Sequence, residues 1–158
     1  LLLARGTGVD ARAVRNDQPL HCAAVADNVE VAHVLLENGA AEDARDRNNV
    51  TPLHYATRTW HPPRGPPSKH RQNLFQVGRL LLEHGAVADA TDACNATPLH
   101  WAAKSGSVDA VRVLLECGAD TPAMHMQDDV GTTALQTALA EGHQAVVDLL
   151  QHPDGANS

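Results

Sequence analysis

Pairs of leucines divide this chain. Leu35-Leu36, Leu81-Leu82, Leu114-Leu115 and Leu149-Leu150 each close an apolar stretch, and the first three run on into Glu-x-Gly-Ala. Upstream, apolar positions fall at helical spacing: Val31, Val34, Leu35 and Leu36 in one stretch, Ala110, Val113, Leu114 and Leu115 in another. Each predicts a short helix with one face that must be buried. The glycines that follow, Gly39, Gly85 and Gly118, stand where such a helix ends in the left-handed region, which a residue without Cβ enters at no steric cost. A start signal precedes each stop. Thr51-Pro52-Leu53-His54 and Thr97-Pro98-Leu99-His100 are copies of one motif, and Gln18-Pro19-Leu20-His21 and Thr133-Ala134-Leu135-Gln136 are degenerate versions of it. The threonine can cap a helix, and the proline sits where a missing N–H is not needed. The pattern therefore predicts pairs of short helices. Each pair is too small to bury its own apolar face, so each borrows its neighbours' surfaces.

The spacing is periodic. Gln18 to Thr51, Gly6 to Gly39 and Gly85 to Gly118 are each 33 residues apart, whereas Thr51 to Thr97 spans 46 and Thr97 to Thr133 spans 36. With both landmarks at fixed spacing over residues 1–150, the chain resembles the ankyrin-repeat family, whose unit is 33 residues. The resemblance implies an all-α solenoid of stacked antiparallel helix pairs, with a finger-like loop projecting after each pair. It gives an array over 1–150: a partial repeat at 1–17, then 18–50, 51–96, 97–132 and 133–150, followed by a polar tail at 151–158. Leu1-Leu2-Leu3 aligns with Val34-Leu35-Leu36, so the chain enters in the last turn of a second helix, as an excised fragment would.

The long repeat carries its extra residues near 61–72, between its two helices. Pro62-Pro63-Arg64-Gly65-Pro66-Pro67 cannot be helical and favours an extended path. Residues 58–72 hold Arg58, Arg64, Lys69 and Arg71 and no acid, so this window is +4 in a chain of net charge −7. It reads either as a solvated excursion or as a docking loop, with Trp60 as anchor and Arg64, Lys69 and Arg71 as its charges. The finger of repeat 97–132 is also longer, around Thr121 to Gln127, where Met124 and Met126 flank His125. These methionines either offer an adaptable contact surface or pack on the adjacent finger. Gly78 aligns with Ala32 and Val111 inside a second helix; it either permits close helix approach or is a weak spot costing about 1 kcal/mol relative to Ala.

Composition narrows the function. A net charge of −7 argues against nucleic acid or an anionic membrane as partner. Cys22, Cys94 and Cys117 form neither a metal-type pair nor an even disulfide set, so free thiols and a cytoplasmic or nuclear location are expected. No apolar run approaches a membrane span. Of the ten histidines, His21, His54 and His100 share one motif position, where the resemblance implies an imidazole bonded to loop backbone; His61 and His70 lack zinc-ligand spacing. Asp10, Asp43 and Asp89 recur four residues after a landmark glycine and read as turn chemistry. No nucleophile and base are paired, so neither catalysis nor a cofactor is expected.

The resemblance implies that a partner meets the concave face made by finger tips and first helices. That face would bring Arg15, Arg47, Asn48, Arg58 and Lys104, with Asp17, Asp129 and Glu141 towards its ends. Tyr55 and Trp101, each following a motif histidine, are either aromatic anchors or wedges between repeats. The expected role is a protein-interaction module in a larger scaffold, adaptor or regulatory protein, monomeric in isolation, which holds an acidic or phosphorylated segment of another protein. The alternative is a structural spacer, or a segment of a larger enzyme or channel, with nothing in the groove.

Overall fold

Thr51-Pro52 and Thr97-Pro98 do begin helices, and so do the degenerate copies. The computed structural model describes residues 18–58, 75–117 and 124–153. Among them lie eight α-helices: α1 Pro19–Val25, α2 Val29–Glu37, α3 Pro52–Ala56, α4 Gln76–Glu83, α5 Pro98–Ser105, α6 Val108–Glu116, α7 Ala134–Glu141 and α8 Gln144–Gln151. No strand occurs among these residues. Consecutive helices pack as pairs, the first helices α1, α3, α5 and α7 stack in chain order, and α2 packs on α4 as α6 does on α8. The partial repeat at 1–17, the loop with Trp60, Arg64, Lys69 and Arg71, and Gly118, Arg15, Asp10 and Asp17 lie outside the described residues. Gln151, assigned to the tail by sequence, still belongs to α8.

The core is thin and continuous. Leu20, Leu53, Leu99 and Ala134 from the first helices meet Ala32, Leu35, Leu81, Val111, Leu114, Val146 and Leu150 from the second. Gly39 and Gly85 end α2 and α4 with φ of 85° and 97°, as expected.

Two sequence expectations need correction or completion. Val31 and Val34, expected inside, are 46% and 43% exposed, whereas their counterparts Ala110 and Val113 are buried. The face that α2 buries is Ala32, Leu35 and Leu36. Gly78 is neither a weak spot nor simply a point of close helix approach. A Cβ there would lie 2.2 Å from two ring carbons of Phe75, a residue only 2% exposed. The Phe75 ring occupies space that in α6 belongs to the Val111 side chain.

Candidate functional site

One arrangement recurs down the inner row. In α3 and α5 the backbone N–H of Thr51 or Thr97 donates to Nδ1 of the histidine three residues on, at 3.2 Å in each case. The threonine hydroxyl approaches the same nitrogen at 2.8 and 2.9 Å. Gln18 N–H makes the corresponding bond to His21 at 3.1 Å. Because Nδ1 accepts, the proton sits on Nε2, which donates to a carbonyl at the end of the following finger: Val50 for His21, Ala96 for His54, Thr132 for His100, at 3.0 to 3.1 Å. Each imidazole thus closes its own helix cap and ties that helix to the residue before the next repeat. Burial pushes His54 down to about 4, against opposing pulls from the Ala96 carbonyl and the Asp92 charge. Gln136 takes over the capping half of the role in α7, accepting from Thr133 N–H at 2.9 Å.

A second recurrent unit organises the finger tips, on aspartates that sequence reading passed over. Asp46 Oδ1 accepts from Asn48 and Val50 N–H, Asp92 Oδ1 from Cys94 and Ala96, and Asp128 Oδ1 from Val130 and Thr132, at 2.8 to 3.0 Å. The second oxygen then binds a ring nine residues on: Tyr55 Oη donates to Asp46 Oδ2 at 2.8 Å, and Trp101 Nε1 to Asp92 Oδ2 at 2.9 Å. The signal that could have revealed them was an Asp at a constant distance before each start motif, five residues ahead of Thr51, Thr97 and Thr133. Asp43, read as turn chemistry, instead reaches the next repeat, accepting from Val87 N–H at 3.0 Å. Fingers are also joined by backbone, Ala93 N–H to Asn48 O and Asp129 N–H to Cys94 O, both at 2.9 Å.

These units build an aromatic file. His21, Tyr55 and Trp101 stand edge-on in succession, with centroids 5.8 Å apart from His21 to Tyr55 and from Tyr55 to Trp101, and His54 meets Trp101 at 5.5 Å. Tyr55 and Trp101 are half-buried, so they wedge between repeats, and Trp101 also faces the groove. At that point the groove opens into a pocket of about 650 Å³, lined by Arg58, Asp92, Trp101, Lys104, Asp128 and Glu141 among others. Of the expected site residues, Arg58, Trp101 and Lys104 meet in this pocket. Arg47 and Asn48 are exposed on the second finger, outside its lining, and Asp129 is exposed on the last finger. The lining carries two cations and three carboxylates, so acids stand beside the cations and not only towards the ends of the face.

The remaining chemistry is quiet. Cys22, Cys94 and Cys117 are exposed free thiols. Among the described residues no group of three or more His, Cys, Asp or Glu could hold a metal ion, and no helix is long and apolar enough to cross a membrane. Met124 and Met126 pack against the core, while His125 is exposed.

Stacked helix pairs capped by a Thr-Pro-Leu-His turn, with fingers held by an internal aspartate, define a repeat solenoid. The family model for ankyrin repeats (3 copies) matches residues 1–63 and 69–158, and the chain belongs to that family. It is similar to ZDHHC13 of Danio rerio, whose name places it with palmitoyltransferases, at 41% identity over 49 residues, or 31% of this chain and 8% of that protein. It is also similar to the fowlpox virus ankyrin repeat protein FPV223, at 43% identity over 44 residues, or 28% of this chain and 31% of that one. The matches thus span less than a third of either relative. Ankyrin repeats are generally protein-binding modules and typically non-catalytic.

Proposed function

We propose that the concave groove of this array holds an extended acidic or phosphorylated segment of a partner protein, on behalf of a larger scaffold, adaptor or regulatory protein. The observation that carries this reading is the pair Arg58 and Lys104. They stand exposed at the ends of successive first helices, they line one pocket beside Trp101, and neither forms an ion pair with a described residue. Repeat packing has no use for them there. Arg47, exposed on the second finger, extends the same row. Asp92, Asp128 and Glu141 on the same lining would then set the register, by rejecting carboxylates placed against them.

The test uses a partner recovered with the wild-type chain and measured by calorimetry against the Arg47→Glu, Arg58→Glu, Lys104→Glu triple variant. Affinity is expected to fall at least tenfold, and added salt should slow association of the wild type more than of the variant. Unchanged affinity in a folded triple variant overturns the assignment.

A further inference from the structure

In the second and third fingers the organising aspartate is satisfied on both sides. Backbone N–H groups take Oδ1, and Tyr55 or Trp101, nine residues on, takes Oδ2. The last finger repeats only half of this. Asp128 Oδ1 accepts from Val130 and Thr132, yet position 137, where the ring belongs, is threonine. Thr137 turns its short hydroxyl back to Thr133 O at 3.1 Å, and no described residue donates to Asp128 Oδ2. The file of rings therefore stops at Trp101, and the 650 Å³ pocket opens where the next ring would stand, with Trp101, Thr137 and Asp128 all on its lining. Trp101 thus borders a space that admits a ring and whose lining holds a carboxylate oxygen to which no described residue donates.

We infer that this step is a subsite for a tyrosine or tryptophan side chain of the bound partner, seated edge-on against Trp101 with its O–H or N–H donating to Asp128. The chemistry is copied from the chain itself, since Tyr55 and Trp101 show that both ring types fit the register and reach the finger carboxylate at 2.8 to 2.9 Å. A ring without a donor would leave the carboxylate unpaired against an apolar edge, so phenylalanine is disfavoured. The inference rests on the groove as the partner-binding face, but it does not depend on the cations.

N-acetyl-tyrosinamide and N-acetyl-tryptophanamide, titrated into the whole chain and followed by the Trp101 Nε1–H and Thr137 amide resonances, provide the test. Saturable shifts are expected for both, with N-acetyl-phenylalaninamide binding at least about fivefold more weakly, the size of a lost hydrogen bond. Asp128→Asn keeps Oδ1 for the Val130 and Thr132 amides while presenting an NH2 in place of Oδ2, and it should bring the tryptophan probe, whose indole N–H can only donate, down to the phenylalanine level. Thr137→Trp should complete the file from within and abolish probe binding. Because the probes are neutral, added salt should leave their affinity within about twofold while it weakens binding of an acidic segment, so a failed charge reading and a failed subsite give different results. Equal binding of the tyrosine and phenylalanine probes, the absence of saturable shifts, or tryptophan-probe binding unaffected by Asp128→Asn would overturn the subsite.

Discussion

Gly78→Ala should destabilise this protein, although helix propensity alone says the opposite. Replacing an interior helical glycine by alanine gains about 1 kcal/mol in an open site. Here the added methyl would lie 2.2, 2.2 and 2.6 Å from three carbons of the Phe75 ring, where carbon atoms normally rest about 3.5 to 4 Å apart. The ring would have to retreat by more than an ångström. It is 2% exposed and belongs to the continuous core, so it can retreat only by displacing its neighbours. Overpacking of this kind costs about 1–3 kcal/mol, and a clash this short belongs at the upper end, leaving a net loss of about 1–2 kcal/mol after the propensity gain. For a chain of 158 residues that is a fall in Tm of roughly 2–8 °C, read by circular dichroism or calorimetry. The decisive control is the same substitution in a Phe75→Ala background, where the methyl enters emptied space and the sign should reverse to stabilising. A Gly78→Ala variant that melts above the wild type would refute the packing argument.

Acidification should unfold the array early. His54 is held neutral at a folded pKa of about 4 against 6.5 for a free histidine, so its contribution is whole above pH 6.5 and is lost as the pH falls towards 4. At about 1.4 kcal/mol per unit the loss reaches about 3 kcal/mol. Asp27, pushed up by burial, acts in the opposite sense, because its carboxyl favours the folded state more when protonated, and it offsets part of the loss at the acid end. Urea midpoints between pH 7 and 4.5 should flatten in His54→Gln, which keeps a cap of the Gln136 type; an unchanged slope would mean that His54 is not the titrating group. Asp27 itself occupies a left-handed turn at φ 48° and caps α4 of the next repeat, accepting from Val77 N–H at 3.0 Å. Asp27→Ala should cost about 1–2 kcal/mol and speed hydrogen exchange at Val77, with Asp27→Asn milder; unchanged exchange at Val77 would disprove the cross-repeat cap.

Much of the architecture was legible because local rules and the global fold agree. Thr-Pro starts and Gly stops report backbone geometry that any context requires, so the helix pairs follow from spacing. What escaped were relations between units. The Phe75 and Gly78 exchange is a volume compensated across a helix cap, and one side chain gives no sign of it. Asp46, Asp92 and Asp128 look like ordinary loop acids until Tyr55 and Trp101 are seen nine residues away on the neighbouring helix. Val31 reads as core by helical spacing, yet α2 turns Ala32, Leu35 and Leu36 inward and leaves Val31 out. Of the candidate site, the sequence marks Arg58, Trp101 and Lys104, which line one pocket, whereas the carboxylates facing them become a group only through the stacking of fingers.

The imidazole that caps one helix and reaches the last residue of its own repeat gives each unit a direction. Each tie runs forward along the chain without leaving its own repeat, so removing the last helix pair would take no partner from His21, His54 or His100 and would leave every earlier cap closed. Erosion at the C-terminal edge should therefore spare these latches. Gln136 at the fourth position supplies a cap with no ring to reach a finger carbonyl, so α7 is the first helix that lacks this latch, and the edge at α7 and α8 becomes the natural place for the solenoid to open.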